Sequence, residues 1–544
     1  MYNHSVILRR SYDAVLGLWR QYSPRGRDIE HKRTETEFML ARMAQSASRR
    51  FDGTVLIDGT YDNANYWLRY SLLRTGLGLA HGREVGLLGP YRREQNLRTF
   101  ERYGISERVD AVKRAQNSAA VRLTYDLLAQ THGPDDVLQW KLPANVHPAI
   151  VYDTILKRQR LASLDVHQPN MREFTFDMVA TIERVEEILD TIKPDLVVLS
   201  HPIGMICGSL GWCALERGIP VILAFGLFGA LRFTRFVRPT DLFRYYDRPT
   251  REEIDALTPA RERALLEAGR SYLAMRFAGK ADDLPSVFAF QQSKGQVDRG
   301  GICRSFGWDP AKPIVAFYAS NWFDWPHQLG MSAFRDFLDW TEATVAIARD
   351  TPAVNWLFRP HPSEKWFGGV SLADIMSRLG QSANVAVAGK GWNNTAVMNA
   401  VDALVTYHGT AGIECASLGK PVLVPDRGKY EDCGFVKVAQ SRQQYIDLLR
   451  SEWWHDMDLA DCRRRAEIFA GWWFCVPDWQ RGFILLDDAR QEAAYDVIPG
   501  LLRDNPEAVA KELRSIGYWW ESSHPYYHTS KMAKADGFQM SNLG

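Results

Sequence analysis

The chain has 544 residues, of which 46% are hydrophobic and 24% charged, and its formal net charge at pH 7 is +1. A chain of this length exceeds what one hydrophobic core can serve, so two or three domains are expected. The balanced charge excludes the long-range basic field of a nucleic-acid-binding protein, and the apolar content excludes an extensively disordered chain.

The N-terminal segment and the cysteines indicate a cytoplasmic protein. The segment MYNHSVILRRSYDAVLGLWRQ carries charges inside its apolar stretches, unlike a signal peptide. No window of about 18 uninterrupted apolar residues occurs, so no membrane span is predicted. The seven cysteines are an odd number without CxxC spacing. Reduced thiols are therefore favoured over a disulfide framework or a zinc site.

The first half of the chain alternates apolar strands with helices. Its strands are predicted at 54–59, 84–89, 195–200 and 220–225. Its helices are predicted at 67–81, 94–103 and 204–217, with further helices across much of 107–192. Continuous apolar strands separated by helices are typical of a parallel sheet covered on both faces.

A second alternating block follows a charged, helical stretch at about 240–300, which we interpret as a cap or connecting region. Its strands are predicted at 314–319, 354–358, 384–388, 403–407 and 421–425, and its helices at 332–349, 372–379 and 395–400. This pattern is typical of a doubly wound, nucleotide-binding unit. Because ligands of open α/β sheets bind beyond the carboxyl ends of the strands, residues that follow a strand are the strongest site candidates.

The first candidate motif is the string HGTAGIE, where a predicted strand gives way to a helix. Gly409 and Gly412 allow the backbone to approach a ligand, and the free N–H groups of a helix start can bind phosphate. Thr410 can cap the helix and donate to a phosphate oxygen. Glu414, one turn later, can accept from ribose hydroxyls. The motif, which begins at His408, therefore predicts a nucleotide-binding site.

The second motif, Arg359-Pro360-His361-Pro362, also follows a predicted strand. Its two prolines restrict the loop around His361 and remove backbone donors, which holds the imidazole in one direction. A fixed imidazole beside an arginine can donate a hydrogen bond or a proton to a leaving phosphate. We therefore predict a catalytic role for His361, with Arg359 and Pro362 lining the same site.

With further motifs, these strings resemble a known family. The additional motifs are NWFDW at 321–325, FLDW at 337–340, LGKPVLV, and a later Tyr430…Gly434-Phe435. In order and spacing, the chain over about 310–437 resembles the bacterial capsule polysaccharide biosynthesis family, which includes Kdo transferases of GT-B architecture. The N-terminal half, where acceptor specificity resides in such enzymes, matches only weakly.

The resemblance implies an α/β, GT-B-like fold, in which two doubly wound Rossmann-like domains with added helices face a central cleft. The domain nearer the N-terminus, at 1–300, is expected to be a Rossmann-like acceptor domain with helical insertions. A nucleotide-sugar-binding domain is expected at 301–440, and a Trp-rich helical region packing across both at 441–544.

The resemblance also implies an activity, namely a glycosyltransferase acting in capsule or surface polysaccharide synthesis. The donor is expected to be a nucleotide-sugar, with a CMP-sugar favoured, and the acceptor a glycan or glycolipid. Residues implied to bind the nucleotide phosphate and ribose are His361, Pro362, Gly409, Thr410 and Glu414. Asn321, after the first strand of that domain, would line the cleft. Polysaccharide-export machinery at the inner membrane is an expected partner, whereas a metal, a cofactor or nucleic acid is not.

Candidate proton acceptors lie in the first half. Asp58 and Asp62 follow the first predicted strand, and either carboxylate could take the proton of an acceptor hydroxyl. An Asx-type turn is the alternative interpretation. His201, in a His-Pro pair after the strand at 195–200, is a further candidate on the same wall of the cleft. For His201 the alternative is a loop histidine with satisfied hydrogen bonds.

Other functions and surfaces remain open. Because the His-Pro and HGT motifs recur in nucleotide-sugar 2-epimerases, such an epimerase is an alternative, as is a non-catalytic polysaccharide-assembly protein. The late Trp-Trp pairs, at 453–454, 472–473 and 519–520, are expected in packed cores, with docking on the inner face of the plasma membrane as the alternative. One arginine cluster is expected on a salt-bridged surface, or else forms a local anion site. It comprises Arg232, Arg235, Arg238 and Arg244.

Overall fold

Apolar strands buried on both faces form the first sheet, as their continuous apolar sequences predict. In the computed structural model its strands are β1 (Thr54–Gly59), β2 (Arg83–Leu88), β3 (Glu107–Asp110), β4 (Leu196–Leu199), β5 (Val221–Leu223), β6 (Phe233–Phe236) and β13 (Tyr526–Tyr527). Their order is β13-β6-β5-β4-β1-β2-β3, with β6 antiparallel to β5. Strands β3-β2-β1-β4-β5 are parallel and have the order of a Rossmann sheet.

The second sheet is parallel throughout. Its strands are β7 (Ile314–Tyr318), β8 (Asn355–Arg359), β9 (Val385–Val387), β10 (Ala403–Thr406), β11 (Val422–Val424) and β12 (Lys437–Val438). Their order, β12-β11-β10-β7-β8-β9, is the complete Rossmann order read from the far edge. The predicted fold class, with two doubly wound Rossmann-like sheets, is therefore confirmed.

The structure describes residues 23–112, 118–225, 231–245, 248–281, 290, 295–362, 364, 370–380, 382–389, 391–475, 494–522 and 524–527. The N-terminal segment of the sequence analysis lies outside these ranges. All seven cysteines are free thiols, as predicted. Within these ranges, no helix is long and apolar enough to cross a membrane.

Helices cover both faces of the two sheets. Those between β1 and β6, with one preceding helix, are α1 (Pro24–Gln45), α2 (Ala64–Leu77), α3 (Arg93–Arg102), α4 (Ser118–Ala129), α5 (Pro134–Val137), α6 (Pro148–Gln159), α7 (Met171–Ile192) and α8 (Met205–Glu216). Those after β6 are α9 (Arg251–Asp255), α10 (Pro259–Phe277), α11 (Arg299–Phe306), α12 (Phe337–Arg349), α13 (Leu372–Leu379), α14 (Asn394–Ala400), α15 (Ala411–Ser417), α16 (Arg442–Leu449), α17 (Leu459–Trp473), α18 (Ala494–Asp504) and α19 (Pro506–Glu521). Short 3-10 helices lie at Leu79–His81, Pro143–Asn145, Pro239–Phe243 and Trp453–Asp456.

The stretch at 240–300 packs in part with the second sheet. Leu265 and Leu273 of α10 share a core with Val424 of β11, although the sequence analysis assigned α10 to the first domain. After α17 the chain returns, because Ile498 of α18 and Trp519 of α19 lie in the core of the first sheet. The chain therefore passes from the first sheet to the second before α10 and back after α17.

Two arginines of the cluster cap helix ends, and the tryptophan pairs lie in packed regions. Arg235 donates to three backbone carbonyls at the end of α19, and the wholly buried Arg232 donates to two at the end of α17. Positive charge is favourable at a helix C-terminus, so both arginines act as caps. Arg238 and Arg244 are exposed. Of the six paired tryptophans, five are buried and Trp520 is half-buried, as packed cores require.

Helix α10 crosses α17 with the two backbones in direct contact. A Cβ at Gly269 would lie 2.0 Å from the Glu467 carbonyl oxygen, and one at Gly471 would lie 2.1 Å from the Leu265 carbonyl oxygen. Because overpacking forces helices apart, we expect Gly269→Ala to lower the free energy of unfolding by about 1–3 kcal/mol, measured by thermal unfolding. Gly133→Ala is the matched control, since a Cβ there meets nothing within 4 Å. An equal loss in both variants would contradict the close crossing.

Candidate functional site

Each sheet has one point where the strand order reverses, and the sequence motifs lie at these two points. The reversal falls between β1 and β4 in the first sheet and between β7 and β10 in the second. Connecting helices leave such a point on opposite faces of the sheet, which opens a crevice beyond the carboxyl ends of the strands. The candidate residues that follow these strands therefore border two crevices.

His361 and Thr410 lie at the same edge of the second sheet. His361 follows β8 and Thr410 follows β10, and both are half-buried. The two strands are not neighbours, because β7 pairs with both and lies between them. Strands are spaced about 4.8 Å apart, so the two backbones are separated by roughly 10 Å. Asn321, in the loop after β7, occupies the intervening position.

Contacts across the cleft bring the two edges together. Gln328, in the loop after β7, accepts from the Gly204 N–H at 3.2 Å and donates to the Pro202 carbonyl at 3.3 Å. Trp325 of the same loop packs against Gly204, where a Cβ would lie 3.3 Å from the indole. Asp153 of α6 accepts from the Gln328 backbone N–H at 2.9 Å. The loop after β7 is thereby held against the loop after β4.

A buried ion pair lies at the start of α15. Arg276 of α10 donates from Nε to Glu414 Oε1 at 2.7 Å and from Nη2 to Thr410 Oγ1 at 3.2 Å. Arg276 is wholly buried, and Glu414 is 1% exposed. Glu414 is therefore the counter-ion of Arg276. Its predicted contact with ribose hydroxyls competes with this ion pair and stays a prediction.

Lys429, after β11, is a second buried cation in the same region. It is 6% exposed, and its ammonium lies 4.4 Å from the ring centre of Trp473 and 4.9 Å from that of Tyr245. Within the described part of the chain, no carboxylate lies at ion-pair distance from its Nζ. Burial and repulsion from Arg276 lower the pKa of Lys429 to about 7. One carboxylate, Glu414, therefore lies near two buried cations and is bonded only to Arg276.

The two histidines of the motifs are neutral at pH 7. Burial lowers the pKa of His361, and the nearby Asp324 carboxylate opposes this shift. Burial and repulsion from Lys429 lower the pKa of His408 to about 3. A neutral imidazole can donate one hydrogen bond to a phosphate without adding a further charge. His361 can therefore act as a hydrogen-bond donor to a phosphate.

Arg359 and Asn321 differ in their freedom to bind a ligand. Arg359 donates to the Trp392 carbonyl at 2.9 Å and stacks over Tyr318, which fixes it near the exposed Pro362. The Asn321 side-chain amide makes no hydrogen bond to any residue that the structure describes. Asn321 can therefore turn its full hydrogen-bonding capacity toward a ligand in the cleft.

The two glycines of the HGTAGIE string serve the protein backbone. A Cβ at Gly412 would lie 2.2 Å from Tyr430 Oη, and Tyr430 donates to the Gly409 carbonyl at 2.8 Å. Gly412 is therefore needed for Tyr430 to pack, rather than for the close approach of a ligand. Tyr430 in turn shapes the turn that carries Thr410.

The carboxylates of Asp58, at the end of β1, and of Asp62, just after it, are both enclosed. Asp62 pairs with the buried Arg33 at 2.9 Å, and its side chain is 4% exposed. Asp58 is wholly buried and accepts from the backbone N–H and hydroxyl groups of Thr60 and Ser200. Neither carboxylate reaches the cleft. Direct proton abstraction by Asp58 or Asp62, as the sequence suggested, therefore does not fit the structure.

His201 has the accessible position that these carboxylates lack. It follows β4 and is half-buried, with its Nδ1 2.9 Å from Ser200 Oγ. Tyr61 meets its ring edge-on at a centroid distance of 4.3 Å, and Phe225 lies 5.7 Å away on another side. Burial lowers the pKa of His201, so its imidazole is unprotonated at pH 7.

Sequence reasoning missed the two buried cations. Lys429 follows the carboxyl end of a predicted strand, so the rule that ligands bind beyond such ends could have found it. Arg276 gave no such signal, because it enters from a helix 134 positions away from Thr410. Among the residues described, no group of His, Cys, Asp and Glu is placed to hold a metal ion.

Solved structures give only remote likenesses to this chain. A UDP-GlcNAc 2-epimerase from Neisseria meningitidis, bound to UDP-GlcNAc, is 13% identical, covers 83% of this chain and 100% of its own, and has a TM-score of 0.23. KpsC from Thermosulfurimonas dismutans, a beta Kdo 2,4 transferase, is 15% identical over 51% of this chain and 78% of its own, with a TM-score of 0.32. The calicheamicin glycosyltransferase CalG4 is 13% identical over 84% of this chain and 99% of its own, with a TM-score of 0.26. Likenesses this weak carry no argument about activity, and neither a family model nor a curated protein matches the chain.

Proposed function

We propose that this chain is a glycosyltransferase of GT-B architecture, which transfers a sugar from a nucleotide donor to a glycan or glycolipid. The observation that carries the proposal is the pair of buried cations, Arg276 and Lys429, with one carboxylate, Glu414, bonded to only one of them. A buried cation without a counter-ion is costly. A site with this surplus of positive charge suits a phosphate group.

The donor phosphate lies between the two cations and His361 at the carboxyl edge of the second sheet. When the bond from the sugar to the phosphate breaks, negative charge develops on the departing oxygen. Fixed cations in a site of low water content stabilise that charge without reorganising. His361 donates a hydrogen bond to the phosphate, and Asn321 is free to bind the base or the sugar. No metal ion is needed for this charge balance.

The acceptor approaches from the edge of the first sheet, across the cleft from the donor. The resemblance of the motifs to the capsule biosynthesis family favours a CMP-sugar as donor and a role in surface polysaccharide synthesis. The expected setting is the inner face of the plasma membrane, beside the export machinery for the product.

A thermal-shift panel of CMP, UDP, GDP and their sugars tests the proposal. Because only the folded state binds the nucleotide, a ligand at 100 times its Kd stabilises by about 2.7 kcal/mol. We expect CMP or its sugar to give the largest rise in Tm, and uncharged cytidine, the control without phosphate, to give none. A rise with UDP and none with CMP would replace the CMP-sugar with a UDP-sugar as the assigned donor, and the transferase proposal would stand. No rise with any nucleotide would contradict the proposal.

Incubation of the stabilising nucleotide-sugar with the protein alone separates the transferase from the epimerase. A transferase leaves the donor unchanged or slowly hydrolyses it when no acceptor is present. Accumulation of the free 2-epimer of the donor would assign the chain to the nucleotide-sugar 2-epimerases instead. Binding without any turnover, even with acceptor glycans, would indicate the non-catalytic assembly protein.

A further inference from the structure

A hydrogen-bond chain in the first sheet joins a buried carboxylate to an imidazole in the cleft. Asp58 Oδ2, at the end of β1, accepts from the hydroxyl of Ser200, whose Oγ lies 2.9 Å from His201 Nδ1. The Ser200 N–H donates to the same carboxylate oxygen at 2.9 Å. Thr60 holds the other oxygen through its N–H at 2.7 Å and its hydroxyl at 2.6 Å. The carboxylate is therefore fixed at both oxygens.

These hydrogen bonds determine which ring nitrogen of His201 carries the proton. A carboxylate only accepts hydrogen bonds, so the Ser200 hydroxyl proton points to Asp58. The Ser200 oxygen can then only accept from His201, which places the ring proton on Nδ1 and the lone pair on Nε2. In the parts of the chain that the structure describes, Nε2 has no hydrogen-bond partner. The lone pair is available to a ligand.

His201 lies at the reversal point of the first sheet, facing the donor edge of the second. Gln328 from the second unit holds the adjoining loop through Pro202 and Gly204. The titratable groups nearest the imidazole are Asp58, through Ser200, and the phenol of Tyr61, which meets the ring edge-on. An unprotonated imidazole with a fixed tautomer is the form that a general base requires.

We propose that His201 is the catalytic base that activates the acceptor hydroxyl, with Ser200 and Asp58 as its positioning residues, an inference that rests on the proposed glycosyltransferase function. His201 Nε2 takes the hydroxyl proton, and the hydroxyl oxygen forms a bond to the anomeric carbon. The bond from that carbon to the phosphate breaks, and its electron pair leaves on the phosphate oxygen beside Arg276 and Lys429. The imidazolium then returns its proton to solvent.

This chemistry is a single displacement, so the anomeric configuration of the sugar is inverted. Retention by double displacement would need a carboxylate that attacks the sugar and forms a covalent intermediate, as in retaining glycoside hydrolysis. The carboxylates of Asp58 and Asp62 do not fit that role. Asp58 is fully engaged by Thr60 and Ser200, and Asp62 is paired with Arg33.

Donor hydrolysis, in which water takes the place of the acceptor, tests the assignment. The substrate is the nucleotide-sugar that gives the largest thermal shift, released nucleotide is measured by chromatography, and the first-formed sugar anomer by proton NMR. We expect an inverted anomer. We also expect His201→Gln to release nucleotide at about one hundredth of the wild-type rate or below. Nucleotide should raise the Tm of this variant as it does in the wild type. His167→Gln, which changes an exposed histidine, keeps the wild-type rate.

A second readout follows the tautomer itself by nitrogen NMR of the histidine ring. We expect the proton of His201 on Nδ1 in the wild type and in Ser200→Thr, which keeps the hydroxyl. In Ser200→Ala the Nδ1–H form loses its acceptor, so its population and the hydrolysis rate both fall.

The possible outcomes separate the inference from the function on which it rests. Wild-type hydrolysis by His201→Gln, a retained anomer, or an Nε2–H tautomer in the wild type overturns the assignment while the transferase proposal stands. An absence of nucleotide-induced stabilisation in the wild type removes the transferase proposal instead. Where hydrolysis is too slow to follow, the tautomer decides.

Discussion

Replacing Lys429 with methionine raises the stability of the free protein and weakens its binding of nucleotide. Methionine fills a similar volume without a buried charge, and an unpaired buried charge is costly to the folded state. The lost charge-assisted hydrogen bond to phosphate costs about 1.5–3 kcal/mol, or roughly 10–100-fold in Kd. Thermal unfolding and titration calorimetry measure the two effects.

The matched control is Lys437→Met, which removes one lysine charge from the half-buried edge strand β12. We expect this control to change neither stability nor affinity by more than about 0.5 kcal/mol. If Lys429→Met lowers stability and leaves nucleotide affinity unchanged, the ammonium serves the fold and not a phosphate. The buried cation pair would then lose its assigned ligand.

The same lysine sets a pH dependence whose sign follows from its pKa of about 7, against an ordinary 10.5. The folded state holds this proton less tightly than the unfolded state. The buried charge therefore lowers the free energy of unfolding by its full amount below pH 7, and this loss disappears as the pH rises to 10.5. Bound phosphate favours the charged ammonium, so nucleotide affinity should fall as the pH rises above about 7. Arg276, Glu414 and Asp324 also face this ammonium, and Lys429→Met should abolish the effect.

Replacing Glu414 with glutamine should strongly destabilise the free protein but leave nucleotide binding intact. The wholly buried Arg276 loses its counter-ion, and breaking such a pair costs about 3–5 kcal/mol. For a unit of 150–250 residues this corresponds to a fall in Tm of roughly 10 °C. Nucleotide phosphate supplies the missing negative charge, so the nucleotide-induced rise in Tm should equal or exceed that of the wild type.

Inorganic phosphate and a double variant complete this test. If Glu414 instead binds ribose, as its position in the sequence motif suggests, Glu414→Gln loses most of the response to nucleotide and keeps the response to inorganic phosphate. If it is the counter-ion, removing both charges in Arg276→Met/Glu414→Gln recovers part of the lost stability. The double variant would then bind nucleotide poorly, because it lacks the cation.

Most strands of both sheets could be predicted from the sequence because parallel strands buried on both faces are continuous apolar runs. The prediction at 54–59 coincides with β1, and that at 314–319 with β7 to within one residue. β3 was missed because its sequence, ERVD, is polar and only partly buried at the sheet edge. β6 was missed because FTRF pairs antiparallel at the other side, outside the strand–helix alternation.

The sequence could predict which candidate residues follow the end of a strand, but not which residues from other elements contact them. The rule for open α/β sheets located His361 and Thr410 at one edge, and the same rule could have found Lys429, since each follows a parallel strand. Spacing along α15 could not reveal that Glu414 turns toward Arg276, because that arginine arrives through a helix crossing made possible by two glycines. Nor could the sequence show which polar groups enclose Asp58, since the order of strands brings Ser200 beside it.

A crystal structure with the nucleotide that most stabilises the protein tests the central claim most directly. We expect a phosphate oxygen within about 3 Å of both Lys429 Nζ and the Arg276 guanidinium, and His361 on the side of the departing oxygen. A nucleotide bound at the edge of the first sheet, or a phosphate beyond hydrogen-bond reach of both cations, would contradict the proposed donor site.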